Sequence, residues 1–151
     1  MKKIALFKIL AVSGLMVNSV LVNATQLNVS ADVSAVCYFS SPSYNLDFGN
    51  LNPASTSDAL ASVDVTYWCT SGMSATLQAD MGLNEATGVR FLNRGTEFIP
   101  YALTLPAGNV AMNGPANPVT AAIEGKIVNA DYINMHWGAY TDTVQLTISG
   151  E

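Results

Sequence analysis

The feature that most constrains the fold is a strict two-residue alternation of apolar and polar side chains. In residues 27–37 every odd position is apolar or cysteine, and every even position up to 34 is polar. The same period returns in residues 63–69 and 144–148, and no stretch of useful length has a helical period. Because successive side chains of a β-strand point to opposite faces, this period predicts strands.

Four weaker strand patterns lie between these segments, at residues 75–79, 90–92, 101–105 and 123–128. Turn-forming Gly, Pro and Asn residues separate them, and no linker or repeat interrupts the chain. Short strands joined by turns without helices predict an all-β sandwich or barrel. A length of 151 residues is that of one such domain.

The amino-terminal residues 1–24 have the pattern of a secretory signal peptide. Three lysines at positions 2, 3 and 8 precede an apolar run over residues 9–22, and small or aliphatic residues stand at the −3 and −1 positions before cleavage after Ala24. The alternative is a retained membrane anchor, but the run is shorter than the about 20 residues that a spanning helix needs. We therefore expect an exported protein.

Export changes both the charge and the cysteine chemistry that we expect. Without residues 1–24, three cations face eleven acids, so the net charge falls from −5 to −8. An acidic chain argues against nucleic acid as a partner. Cys37 and Cys69 are the only cysteines, and in an oxidising compartment they predict a disulfide, with two buried free thiols as the alternative.

The residues that could carry chemistry are few and scattered. His136 is the only histidine, and no cluster of His, Cys and acids has the spacing of a metal site. Ser74 lacks the second glycine of a nucleophile elbow. We therefore expect no enzymatic activity, no metal and no cofactor. Trp68 and Trp137 could stack on sugars, but we expect them to be buried core aromatics.

The alternating segment 27–33 begins directly after the predicted cleavage point. A strand with one apolar face must bury that face against something. It is either an ordinary strand of this domain or, if Cys37 is bridged to Cys69, an arm that projects upstream of the domain. Such an arm can add itself to the open sheet of a neighbouring molecule.

Several segments, taken in order, resemble a known family. They are the alternating segment that leads into Cys37, residues 48–51, 63–69, 90–92 and 101–103, and a terminal Gly-x-Tyr-x-Asp-x-Val pattern that begins at Gly138. This set resembles the spore coat protein U domain, the fold of archaic (Csu-type) chaperone–usher pilins, over essentially the whole mature chain.

The resemblance implies an incomplete immunoglobulin-like β-sandwich over residues 37–151, which lacks its last strand. Residues 25–36 would then be an N-terminal donor strand, and its apolar face would fill the groove of a neighbouring pilin subunit with Leu27, Val29, Ala31 and Val33. The implied partners are neighbouring subunits, a periplasmic chaperone and an outer-membrane usher, with no small-molecule substrate. The implied function is that of a structural pilus subunit, shaft or minor, in surface adhesion and biofilm formation, which passes through the periplasm to the cell surface. The alternative is a secreted, monomeric, lectin-like binding module.

Overall fold

The computed structural model describes residues 23–151. All of the predicted signal peptide except Asn23 and Ala24 lies outside the described residues. The chain divides into two compact units, Met1–Asp32 and Val33–Glu151. In the described part of the first unit, residues 23–32 have exposed side chains and no regular secondary structure.

The regular secondary structure of the second unit is almost entirely β-strand. Its elements in chain order are β1 (Cys37–Phe39), β2 (Ala59–Cys69), β3 (Ser74–Ala79), β4 (Arg90–Arg94), β5 (Glu97–Thr104), β6 (Val110–Ala111), β7 (Val119–Ile127), α1 (Asn129–Tyr132) and β8 (Leu146–Gly150). Within residues 23–151, no helix is long and apolar enough to cross a membrane.

The strands form two sheets in which every named pairing is antiparallel. The five-stranded sheet has the order β1-β2-β7-β5-β4, and the three-stranded sheet has the order β6-β3-β8. The longest pairing joins β2 to β7, from Ala59 opposite Ile127 to Tyr67 opposite Val119. The predicted all-β sandwich is therefore confirmed.

The period-2 alternation places one face of each strand in the core. In β2 the burial alternates along the strand, and its odd-numbered residues face inward. They pack with β7 and with β3 of the opposite sheet in one cluster of buried residues: Val65, Tyr67, Cys69, Ala75, Leu77, Met112, Ala121 and Ile123. A second cluster holds Ile99, Tyr101, Ile127 and Tyr132. Each fully buried aliphatic side chain contributes about 1.5–3 kcal/mol.

The predicted disulfide between Cys37 and Cys69 is present. The two residues are direct partners in the β1–β2 ladder, and their Cα atoms lie 4.0 Å apart. The bridge therefore joins the short edge strand to the central part of the core, where Cys69 is fully buried.

The structure differs from the strand predictions in several places. β2, β5 and β7 each begin four residues before the predicted span. Residues 27–36 form no strand, so only the last residue of the long alternating segment enters β1. The two-residue strand β6 and the four-residue helix α1 were not predicted, because elements this short show no measurable period. The terminal strand is Leu146–Gly150, so it begins and ends two residues later than the predicted span 144–148.

Candidate functional site

Within the described part of the chain four strands lie at sheet edges: β1 and β4 in the five-stranded sheet, and β6 and β8 in the three-stranded sheet. β1 is an edge strand of the five-stranded sheet and pairs with β2, and β8 is an edge strand of the three-stranded sheet and pairs with β3. An unpaired edge presents a row of free backbone donors and acceptors, which can template the addition of another strand. The edges of β1 and β8 define the candidate site.

The backbone register shows which groups of β8 are free. Ser74 and Glu151 exchange two hydrogen bonds, with N···O distances of 3.0 and 2.8 Å. Because such pairs alternate along an antiparallel ladder, Leu146 and Ile148 direct their backbone N–H and C=O groups away from β3. No hydrogen bond among residues 23–151 engages these groups, so β8 offers a hydrogen-bonding edge to an additional strand.

A groove of about 480 Å³ lies beside this edge. Residues 41–46 and residues 142–146 both line it. The five-stranded sheet contributes apolar residues to the lining, among them Val63, Leu103 and Ile123. A groove with apolar side chains in its lining, beside a free strand edge, has the features needed to accept one further strand of the sandwich.

A glycine in the middle of β7 sets how closely the segment before β2 lies against the sheet. Gly125 is buried, and a Cβ atom added there would come within 2.7 Å of Phe48 Cζ and 2.8 Å of Leu46 Cδ2. Both of these side chains line the groove. The missing side chain at position 125 therefore lets this wall of the groove pack onto the sheet.

Replacing Gly125 with Val is expected to destabilise the fold by about 1–3 kcal/mol, because overpacking displaces Leu46 and Phe48. Equilibrium unfolding in urea measures the effect. Ala122→Val is the matched control, since Ala122 lies in the same strand with its side chain exposed. Equal stability of the two variants would contradict this account of Gly125.

The terminal Gly-x-Tyr-x-Asp-x-Val pattern attaches the last segment of the chain to the sandwich. Gly138 has a φ of +143° and passes so close to Arg94 that a Cβ atom would overlap its side chain. The Tyr140 hydroxyl donates to Glu97 Oε2 at 2.7 Å. Val144 lines the groove two residues before β8 begins. Each named position of the pattern thus has a structural role.

Asp142 lies in the lining of the groove and accepts three hydrogen bonds. Its Oδ2 accepts from the Tyr101 hydroxyl at 2.6 Å, and its Oδ1 accepts from the backbone N and the Nδ2 of Asn84 at 3.2 and 2.9 Å. Burial, together with the Asp142 carboxylate, raises the pKa of Tyr101 well above its usual value. Tyr101 therefore stays protonated and keeps donating to Asp142, which holds the segment before β8 in place.

The predicted donor residues Leu27, Val29, Ala31 and Val33 are all exposed in the structure. Leu27 and Val29 are each 85% exposed, and Val33 is 86% exposed. In the structure these residues form no strand, and their role as a donor strand stays a prediction. Thr70 fixes the chain just after them: its hydroxyl donates to the Ser34 carbonyl at 2.9 Å and accepts from the Val36 N–H at 3.0 Å.

The structure also shows where the other candidate residues, His136, Trp68 and Trp137, lie. His136 is a surface residue, and its ring contacts Glu97, a partner that the sequence did not indicate. The prediction that Trp68 and Trp137 are buried core aromatics is wrong. Trp68 lies partly buried against Tyr38, with ring centroids 5.2 Å apart, and Trp137 is 89% exposed. Residues 23–151 contain no group of His, Cys, Asp and Glu that could hold a metal ion.

Comparison with protein families gives one match, the Spore Coat Protein U domain, over residues 23–147. The chain belongs to the spore coat protein U domain family. The match covers the segment 23–36, β1 and the sandwich as far as the first two residues of β8. No curated protein matches the chain.

A solved structure has the same fold. It is the CsuC–CsuE chaperone–tip adhesion subunit pre-assembly complex from the archaic chaperone–usher Csu pili of Acinetobacter baumannii. One of its chains matches with a TM-score of 0.50 and 17% sequence identity over 77% of the present chain. The match covers 40% of that solved chain, so this protein spans less than half of its length.

Proposed function

We propose that this spore coat protein U domain protein is a structural subunit, shaft or minor, of a chaperone–usher pilus. Its groove accepts the arm of a neighbouring subunit, residues 25–36, and its own arm fills the groove of the next. The observation that carries this proposal is that one chain contains two complementary features. They are a groove with apolar lining residues beside a free strand edge, and an exposed segment with an alternating apolar face.

The dimensions of the arm suit those of the edge. The apolar positions from Leu27 to Val33 span six residue steps, which is about 20 Å in an extended strand. The edge from Val144 to Gly150 spans the same number of steps. The arm can therefore lie along the full length of β8.

The energetics favour a long-lived contact between the arm of one subunit and the groove of the next, which we call the joint. Burying the two valines and the leucine of the arm contributes on the order of 4–9 kcal/mol, and Ala31 adds less. Backbone hydrogen bonds to the free groups of Leu146 and Ile148 add to this, while ordering an extended arm opposes it. Because the joint also completes the core of the acceptor, it dissociates only when that core opens, which gives it a long kinetic lifetime.

An open groove and an unpaired edge invite aggregation until they are filled. We therefore infer that a periplasmic chaperone covers the groove during transit and that an outer-membrane usher exchanges it for the next arm. The complex of the structural neighbour, a chaperone with a pilus subunit, is consistent with the first of these partners. The assembled filament would serve adhesion and biofilm formation at the cell surface.

Deleting residues 25–33 tests the proposal against the alternative of a monomeric module. The exported wild-type protein is expected to form heat-sensitive, detergent-resistant multimers on gels of unboiled samples. The deletion variant, produced with its chaperone, is expected to keep the fold and to form no multimers. A synthetic peptide of residues 25–36 should then bind the variant, and the same peptide with aspartate in place of Val29 should not. Misfolding of the variant with the peptide supplied, or unchanged multimers, would contradict the proposal.

A further inference from the structure

A tryptophan stands exposed beside the turn between β4 and β5. Trp137 lies five residues after the end of α1 and is 89% exposed. Tryptophan side chains are usually largely buried in folded proteins. Its ring centroid lies 6.0 Å from the guanidinium carbon of Arg94. Gly138, which has no side chain, lets the backbone pass close to Arg94 and so keeps the indole next to the guanidinium group.

A network of polar groups surrounds Arg94 and is centred on Glu97. The Glu97 carboxylate accepts from Arg94 Nη1 at 3.0 Å and from the Tyr140 hydroxyl at 2.7 Å, and it contacts the ring of His136. The hydrogen bond from Tyr140, with smaller contributions from His136 and Arg94, holds the pKa of Glu97 below its usual value. We call Arg94, Glu97, His136, Trp137 and Tyr140 the Trp137 cluster.

The composition of the cluster is unusual for this chain. After residue 24 the sequence contains only three cationic side chains and one histidine, and Arg94 and His136 are two of these four. The pilus joint proposed above uses neither of them. The charge of Arg94 is also balanced locally by Glu97, so the cluster offers hydrogen-bonding groups without a strong net charge.

We propose that the Trp137 cluster binds a neutral sugar. A pyranose ring has one face of C–H groups, which can stack on an exposed indole, and an edge of hydroxyl groups, which need donors and acceptors. Arg94 and His136 supply partly exposed hydrogen-bonding groups beside the ring, and Glu97 contacts both and holds them in place. The charge of −8 on the mature chain disfavours anionic ligands such as nucleotides or sialylated sugars.

The neighbours of Trp137 favour a small ligand over a protein partner. Protein-binding hot spots are enclosed by a ring of residues that exclude water. Here the exposed residues next to Trp137 in the chain are small or polar, namely Asn134, His136, Gly138 and Ala139, and the apolar Met135 is partly buried. One apolar ring within such a surface matches a ligand with a single apolar face. If the subunits repeat along a filament, many weak sites would act together.

The test uses the protein in the form in which it leaves the cell. The probes are the methyl glycosides of glucose, galactose, mannose and N-acetylglucosamine, with binding measured by saturation-transfer NMR and by tryptophan fluorescence. Wild type is expected to bind at least one of them saturably, and Trp137→Ala is expected to weaken that binding by about tenfold or more. Glu97→Gln, which keeps the shape of the side chain, should weaken it as well.

Leu60→Ala is the matched control, because Leu60 is a second large apolar residue on the surface, 74% exposed, and lies outside the cluster. Its affinity for the sugar should equal that of wild type. The proposal is overturned if none of the four glycosides binds wild type, or if Trp137→Ala binds as tightly as wild type. Loss of protein–protein association in Trp137→Ala, without sugar binding by wild type, would assign the residue to a protein contact instead.

Discussion

Val29→Asp is expected to abolish the multimers of the exported protein. In the proposed joint Val29 is in the middle of the apolar face of the arm and enters a groove lined by Val63, Leu103 and Ile123. An aspartate there would be buried without a partner, at a cost of several kcal/mol. That cost is comparable with the whole apolar contribution of the arm, so assembly should fail. Gels of unboiled samples and electron microscopy of the cell surface measure the result.

Ser30→Asp is the control for this substitution. It adds the same charge one residue further along, on the face of the arm that we expect to point into solvent. Its multimers should match those of wild type. Val33→Asp, on the apolar face, should behave like Val29→Asp. Multimers that persist in both apolar-face variants would exclude the arm as the donor strand.

Removing the disulfide with the double substitution Cys37→Ser and Cys69→Ser is expected to lower the free energy of unfolding by about 3–4 kcal/mol. The bridge spans a sequence separation of 32 residues, and the closure of a loop of this length in the unfolded chain accounts for the estimate. The loss would also free β1, which has only three residues and lies at an edge of the five-stranded sheet. Urea titration followed by the fluorescence of Trp68, opposite Tyr38 in the β1–β2 ladder, measures the change.

A reducing agent provides the control for the disulfide. It should destabilise the wild type by a similar amount and should leave the double variant unchanged. Equal unfolding midpoints for oxidised wild type and the double variant would contradict a stabilising role for the bridge.

The strands were the most predictable part of the fold. Residues 63–69 alternate without interruption and lie within β2, because an amphipathic period must bury one face. Residues 75–79 agree with β3 within one residue, and residues 123–127 lie in β7, which begins four residues earlier than predicted. The short elements β6 and α1 were not found, since they depend on contacts made by the folded chain.

The interpretation of single polar and aromatic residues depended more heavily on the tertiary structure. The terminal Gly-x-Tyr-x-Asp-x-Val pattern was visible in the sequence, but its partners Arg94, Glu97 and Tyr101 lie some forty residues earlier. The burial predicted for Trp137 was wrong, because it rested on residue type, and a tryptophan can lie at the surface wherever the chain around it is fixed by other contacts.

The sequence by itself determined the all-β class, the disulfide partners and the alternating apolar face of residues 27–33, because each depends on local period or on a count of residues. Only the tertiary structure decided that β1 and β8 lie at sheet edges, that a groove opens beside β8, and that Trp137 joins Arg94 and Glu97 at the surface. The physical reason is that edges, grooves and side-chain clusters are made by segments far apart in the chain. Their positions follow from how the two sheets pair and pack, which no local period specifies.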